Sequence, residues 1–112
     1  MISETVLNLL VGGPDVMRAQ LEHIAAIACP RISVQVVPSG HVRSGLLAGF
    51  AIAPLEDGGE VAYLETAIRG LTTGHRDDIT MAVQRFEAIR IQALPPNMST
   101  DLIKRTAEEK WT

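Results

Sequence analysis

Three short segments with strand-like patterning follow one another in this sequence, and helical periodicity occurs only before and after them. That order constrains the fold more than any other feature, because the period of the apolar residues separates strand from helix. In Ile32 to Pro38, Ile32, Val34 and Val36 alternate with Ser33, Gln35 and Val37, a β-branched pattern suited to a half-buried strand. Phe50 to Leu55 reads as a second strand; Pro54 has no N–H for a ladder, so this strand lies at an edge or ends there. Glu56-Asp57-Gly58-Gly59 is a turn sequence, and Val61 to Ala67 is a third strand, which together predict a hairpin. Contiguous strands pair antiparallel through short turns, whereas parallel strands need intervening crossovers. The expected fold is α+β, a small antiparallel sheet of about three strands covered by four helices.

The helices are marked by their punctuation. Thr5 to Leu10 reads as a short helix stopped by Gly12-Gly13. Pro14 suits the first turn of the next helix, Asp15 complements its dipole, and Met17, Leu21, Ile24, Ala25 and Ala28 form its apolar face, with Arg18 and Glu22 as an i,i+4 pair. It ends at Cys29-Pro30. Ser39 to Gly49 is a long glycine-containing connection, and Gly70 and Gly74 bracket another loop. Asp77 or Asp78 is expected to cap a long helix with the stripe Ile79, Ala82, Val83, Phe86, Ile89 and Ala93, stopped by Pro95-Pro96. Ile91 falls opposite that stripe and is a candidate interface residue. Ser99 is read as the cap of a last helix reaching about Lys110, with Leu102, Ile103, Thr106 and Ala107 facing inward and Trp111 folding back onto the core.

With 112 residues the chain has room for a single domain, 1–112, and its 46% hydrophobic and 21% charged residues are those of a globular chain. The formal net charge is −3 and no segment clusters Lys and Arg, which argues against direct nucleic-acid binding. The lone Cys29 cannot form an intrachain disulfide, fits a reducing compartment, and reads as a small buried residue at a helix end. The N-terminus lacks the basic region of a secretory signal, and the apolar run Val6 to Val11 is broken by Asn8 and too short to span a bilayer. A cytoplasmic protein without membrane contact is expected.

No motif dictates one chemistry. His23, His41 and His75 are too far apart for a local metal motif, no glycine-rich phosphate loop is present, and neither metal nor cofactor is expected. The most suggestive polar set is His41 and Arg43 on the long loop, Glu65 near the end of the third strand, and Arg69 and His75 beyond it. Glu65 shares a strand face with Val61 and Tyr63. If that face is buried, Glu65 is a desolvated proton carrier; the plainer alternative is a solvent-facing strand residue paired with Arg69 or simply hydrated. His41 is a candidate general acid or base, or a hydrated turn residue. Tyr63 supplies either a ligand hydroxyl or ring packing, and Leu46 and Leu47 are candidates to line a pocket.

The run VGGPDVMRAQLEHI (Val11 to Ile24) resembles a domain found downstream of Xre-type helix-turn-helix modules in actinomycete regulators, the Scr-type antitoxin-like or WhiJ-like proteins. The similarity continues through ISVQVVPSG with His41, through FAIAPLED and VAYLE, and into QRFEAIRIQAL and the Ser99 region. The resemblance implies a domain that engages a small partner protein encoded nearby and relays a signal to a DNA-binding module, a module that this sequence does not itself contain. The loop Ser39 to Leu47 departs from the family pattern.

The leading expectation is a non-enzymatic regulator-type binding domain, working as a homodimer or with a partner protein or small hydrophobic ligand. Arg43, Leu46, Leu47 and Arg69 are the candidate ligand- or partner-binding residues; a small cofactor-independent isomerase or cyclase using His41, Glu65, Tyr63 and His75 is the alternative. A carrier that sequesters a metabolite is a further one.

Overall fold

The chain divides into two units, Met1–Val42 with Gln92–Thr112, and Arg43–Ile91. The computed structural model describes residues 1–40 and 49–112. In chain order the elements are β1 (Ile2–Ser3), α1 (Glu4–Leu7), α2 (Pro14–Ile27), β2 (Val36–Val37), β3 (Phe50–Pro54), β4 (Glu60–Glu65), β5 (Gly70–Thr73), α3 (Arg76–Gln92) and α4 (Pro96–Glu109). The class is α+β, with, among the described residues, four helices, a three-stranded antiparallel sheet and a two-stranded parallel pair.

In the first unit, Ser3 caps the single turn of α1 by accepting the Thr5 N–H at 3.3 Å. Gly12 and Gly13, with φ of 76° and 116°, turn the chain into α2, where Pro14 occupies the first turn. The apolar spacing read from the sequence places Met17, Leu21 and Ala25 inward on α2, and the matching spacing on α4 is Ser99, Ile103 and Ala107. These two helices pack against each other, and their faces join Leu7, Val36 and Trp111 in one buried cluster. Trp111 folds back as expected, its indole N–H donating to the Leu7 carbonyl at 2.9 Å. The Arg18–Glu22 pair also forms, at 2.9 Å on the exposed face of α2. The hydrogen bond to Glu22, with its charge, raises the guanidinium pKa from its ordinary value.

The segment Ile32 to Pro38 forms less strand than its alternation suggests. Cys29 and Ile32 exchange two backbone hydrogen bonds of 3.0 Å across a tight turn, and only Val36–Val37 enters a ladder, parallel to β1. Cys29 is exposed rather than buried, because α2 ends at Ile27 and the cysteine falls in that turn. The other edge of β2 is closed by α4 and the residues before it. Val36 accepts from the Leu94 N–H at 2.9 Å and donates its own N–H to Ser99 Oγ at 2.9 Å, while Ser99 donates to the Leu94 carbonyl at 3.2 Å. Ser99 is thus 0% exposed and stands in for a neighbouring strand, instead of capping α4 as its residue type suggested. The helix starts earlier, at Pro96, because proline is preorganised for a first turn.

In the second unit β3, β4 and β5 are ordered as a meander, with Ile52 opposite Ala62 and Leu64 opposite Leu71. The third strand of this sheet is β5, read from the sequence as loop; its four residues are too few to show an alternation. The Glu56–Gly59 turn forms as read, Asp57 Oδ1 accepting the Gly59 N–H at 2.9 Å. His75, not Asp77 or Asp78, caps α3: its carbonyl accepts the Ile79 N–H at 3.0 Å and its Nδ1 accepts the Asp77 N–H at 3.3 Å. Asp78 is engaged elsewhere, accepting from Thr73 Oγ1 at 2.7 Å. Among the described residues of this unit only Ala62 and Ala82 are buried. No described helix is long and apolar enough to cross a membrane.

Candidate functional site

The candidates Tyr63, Glu65 and Arg69 come to the end of the β4–β5 hairpin, and the strand pattern decides what they can do there. Along β4, Ala62 and Leu64 point to the covered side of the sheet, while Tyr63 and Glu65 point to the exposed side. Glu65 is therefore solvated, and the burial that a proton-carrying role would require is missing. The glycines beside it shape this surface. Gly70, opposite Glu65, has no side chain, and the Tyr63 ring lies over it so closely that a Cβ there would collide with the Tyr63 hydroxyl. At Gly49, whose carbonyl accepts the Glu65 N–H at 3.2 Å, a Cβ would sit 3.9 Å from Glu65 Oε2.

The turn that follows is held by Thr66. Its Oγ accepts the Ile68 N–H at 3.3 Å and the Arg69 N–H at 3.0 Å, and both its hydroxyl and its N–H donate to the Arg69 carbonyl. This fixed turn presents Ile68 at 93% exposure. Arg69 and Glu65 form no ion pair, since residues directly across the hairpin alternate between its two faces and Arg69 pairs with Thr66, one position on from Glu65.

The remaining candidates are not assembled around these groups. The His75 ring nitrogen serves the α3 cap. No hydrogen bond or ion pair links any two of Tyr63, Glu65, Arg69 and His75, and no described group of three His, Cys, Asp or Glu side chains is arranged to hold a metal ion. His41, Arg43, Leu46 and Leu47 lie outside the described residues. Among the described residues, the hairpin end offers an exposed surface carrying a phenol, a carboxylate and an aliphatic side chain.

Sequence reasoning missed Ile68. The signal was present: a β-branched aliphatic residue stands in a tight turn where Gly, Asn or Asp is favoured.

Over residues 1–105 the chain matches the model of a domain of unknown function, DUF5753. The chain belongs to the DUF5753 family. The match takes in the whole second unit of this DUF5753 domain, including all of β3, β4, β5 and α3, and the first unit up to residue 105, within α4. No curated protein and no solved structure matches it.

Proposed function

We propose that this DUF5753 chain is a regulator-type, antitoxin-like binding domain that engages a partner protein through its second unit and catalyses no reaction. The observation that carries the reading is the state of residues 49–91. Only Ala62 and Ala82 are buried among them, while Leu55, Ile68, Leu71, Met81 and Phe86 are exposed around a sheet and helix with no larger core. Apolar surface of that extent is a feature of interaction sites and gains stability when covered. The likeness of Val11 to Ile24 and the later blocks to domains downstream of Xre-type helix-turn-helix modules supports a regulatory setting in the cytoplasm, with a small protein encoded nearby as the occupant. The net charge of −3 argues against direct contact with nucleic acid.

Hydrogen exchange tests the proposal, on the chain alone and mixed with the purified small protein encoded beside its gene. Amides of β3, β4 and β5 are expected to exchange faster than those of α2 and α4 in the free chain, and to slow at least ~10-fold in the mixture. Unchanged exchange in the mixture, with no binding heat by titration calorimetry, would overturn it. Steady turnover of a hydrophobic metabolite, lost in Tyr63→Phe or Glu65→Gln, would replace it with the enzymatic reading.

A further inference from the structure

From the single turn of α1 to the first turn of α2, residues 6–16 carry five exposed large aliphatic side chains: Val6, Leu9, Leu10, Val11 and Val16. Each is between 51% and 60% exposed. This unit has a complete core of its own, and Leu7, from the same run, fills the position in it that the segment supplies. The five are therefore surplus to folding. Gly12, at φ 76°, bends the run back so that Val16 lies against it, a Cβ there coming within 3.1 Å of a Val16 methyl.

Opposite charges stand at the two ends of the run. Lys110 Nζ lies 3.2 Å from Asn8 Oδ1 at one end. At the other end Asp15, in the first turn of α2, is exposed and, among the described residues, within salt-bridge distance of no cation, although its charge acts weakly on Arg18 one turn along the helix. A two-fold rotation reverses the direction of such a run, so the Lys110 end of one copy meets the Asp15 end of the next and the aliphatic residues meet each other. Five aliphatic side chains at half exposure present roughly 450 Å² of apolar surface, within the range of functional patches on monomers. That is also close to the apolar share of one side of a standard interface, about 800 Å² per partner. We propose that residues 6–16 are the self-association surface of this chain, and that a second copy, antiparallel across a two-fold axis, covers them. This surface belongs to the first unit, so the proposal stands or falls separately from the partner site on the second.

The test is sedimentation velocity and light scattering on the full chain across the micromolar range, with circular dichroism and Trp111 emission to confirm folding of each variant. A dimer is expected. Leu10→Glu, at an exposed position outside any helix or strand, weakens its dissociation constant at least ~10-fold. Asp15→Lys and Lys110→Asp each weaken it singly, because like charges then face each other, and the two together restore it toward the parent value. A monomer throughout that range, a dimer indifferent to Leu10→Glu, or a double reversal no tighter than either single variant would each overturn the proposal.

Discussion

Residues 1–40 with 92–112 gather Leu7, Leu21, Val36, Ile103 and Trp111 into one buried cluster, whereas residues 49–91 bury only two alanines among those described. Both regions are supplied with aliphatic side chains; they differ in how those side chains are spaced. On α2 and α4 the inward positions recur every fourth residue, so that each helix offers the other a single narrow face. On α3 the stripe of Ile79, Ala82, Phe86 and Ile89 is accompanied on other faces by Met81 and by Ile91, the latter 82% exposed. One surface of contact cannot cover them all. Burying a Leu or Ile side chain contributes about 1.5–3 kcal/mol and an alanine far less, so the first unit carries most of the hydrophobic stabilisation.

The largest test of this contrast is Ile103→Ala, which opens a cavity between α2 and α4 and should cost about 2–5 kcal/mol in urea denaturation followed by Trp111 emission. A cost below ~1 kcal/mol would mean that the first core is as loose as the second. Ser99→Ala comes next, at about 1–3 kcal/mol on the same assay, because it leaves the Val36 N–H buried without an acceptor. Phe86→Ala should cost less than Ile103→Ala, about 1 kcal/mol or below, since its ring is already 38% exposed. A larger loss would show the second unit to be better packed than its exposure indicates. Gly70→Ala should have the smallest effect on stability, yet it should displace the Tyr63 ring, seen as a shift of the tyrosine ring resonances in NMR spectra. Unmoved resonances would show that the ring does not rest on Gly70.

The parts of the fold readable from sequence were those set by local periodicity and punctuation. Pro14, Met17, Leu21 and Ala25 placed α2 and its inner face, Glu56-Asp57-Gly58-Gly59 placed the hairpin turn, and Trp111 was expected on the core. What escaped depended on distant partners. The alternation of Ile32 to Val36 resembles that of a sheet strand, but its neighbours are Ile2 on one side and Leu94 and Ser99 on the other. A serine that replaces a strand and a histidine that caps a helix are not distinguishable by residue type from a helix cap and a catalytic base. At the candidate site, the face on which Glu65 lies followed from alternation, whereas which face is covered did not. Arg69 was placed near Glu65 by sequence distance, although the hairpin sends neighbouring pairs to opposite faces.

The hydrogen bond from Leu94 to Val36 brings the stretch leaving β2 beside the stretch entering α4. The described residues 49–91 thus belong to an excursion between two stretches that this bond holds side by side. Such an excursion is removable: a bridge of a few glycines and serines in its stead should leave a miniature protein that melts cooperatively. Three halvings of loop length, at about 0.6 kcal/mol each, would make the shortened chain more stable by about 2 kcal/mol than one carrying an unstructured insert of the original length.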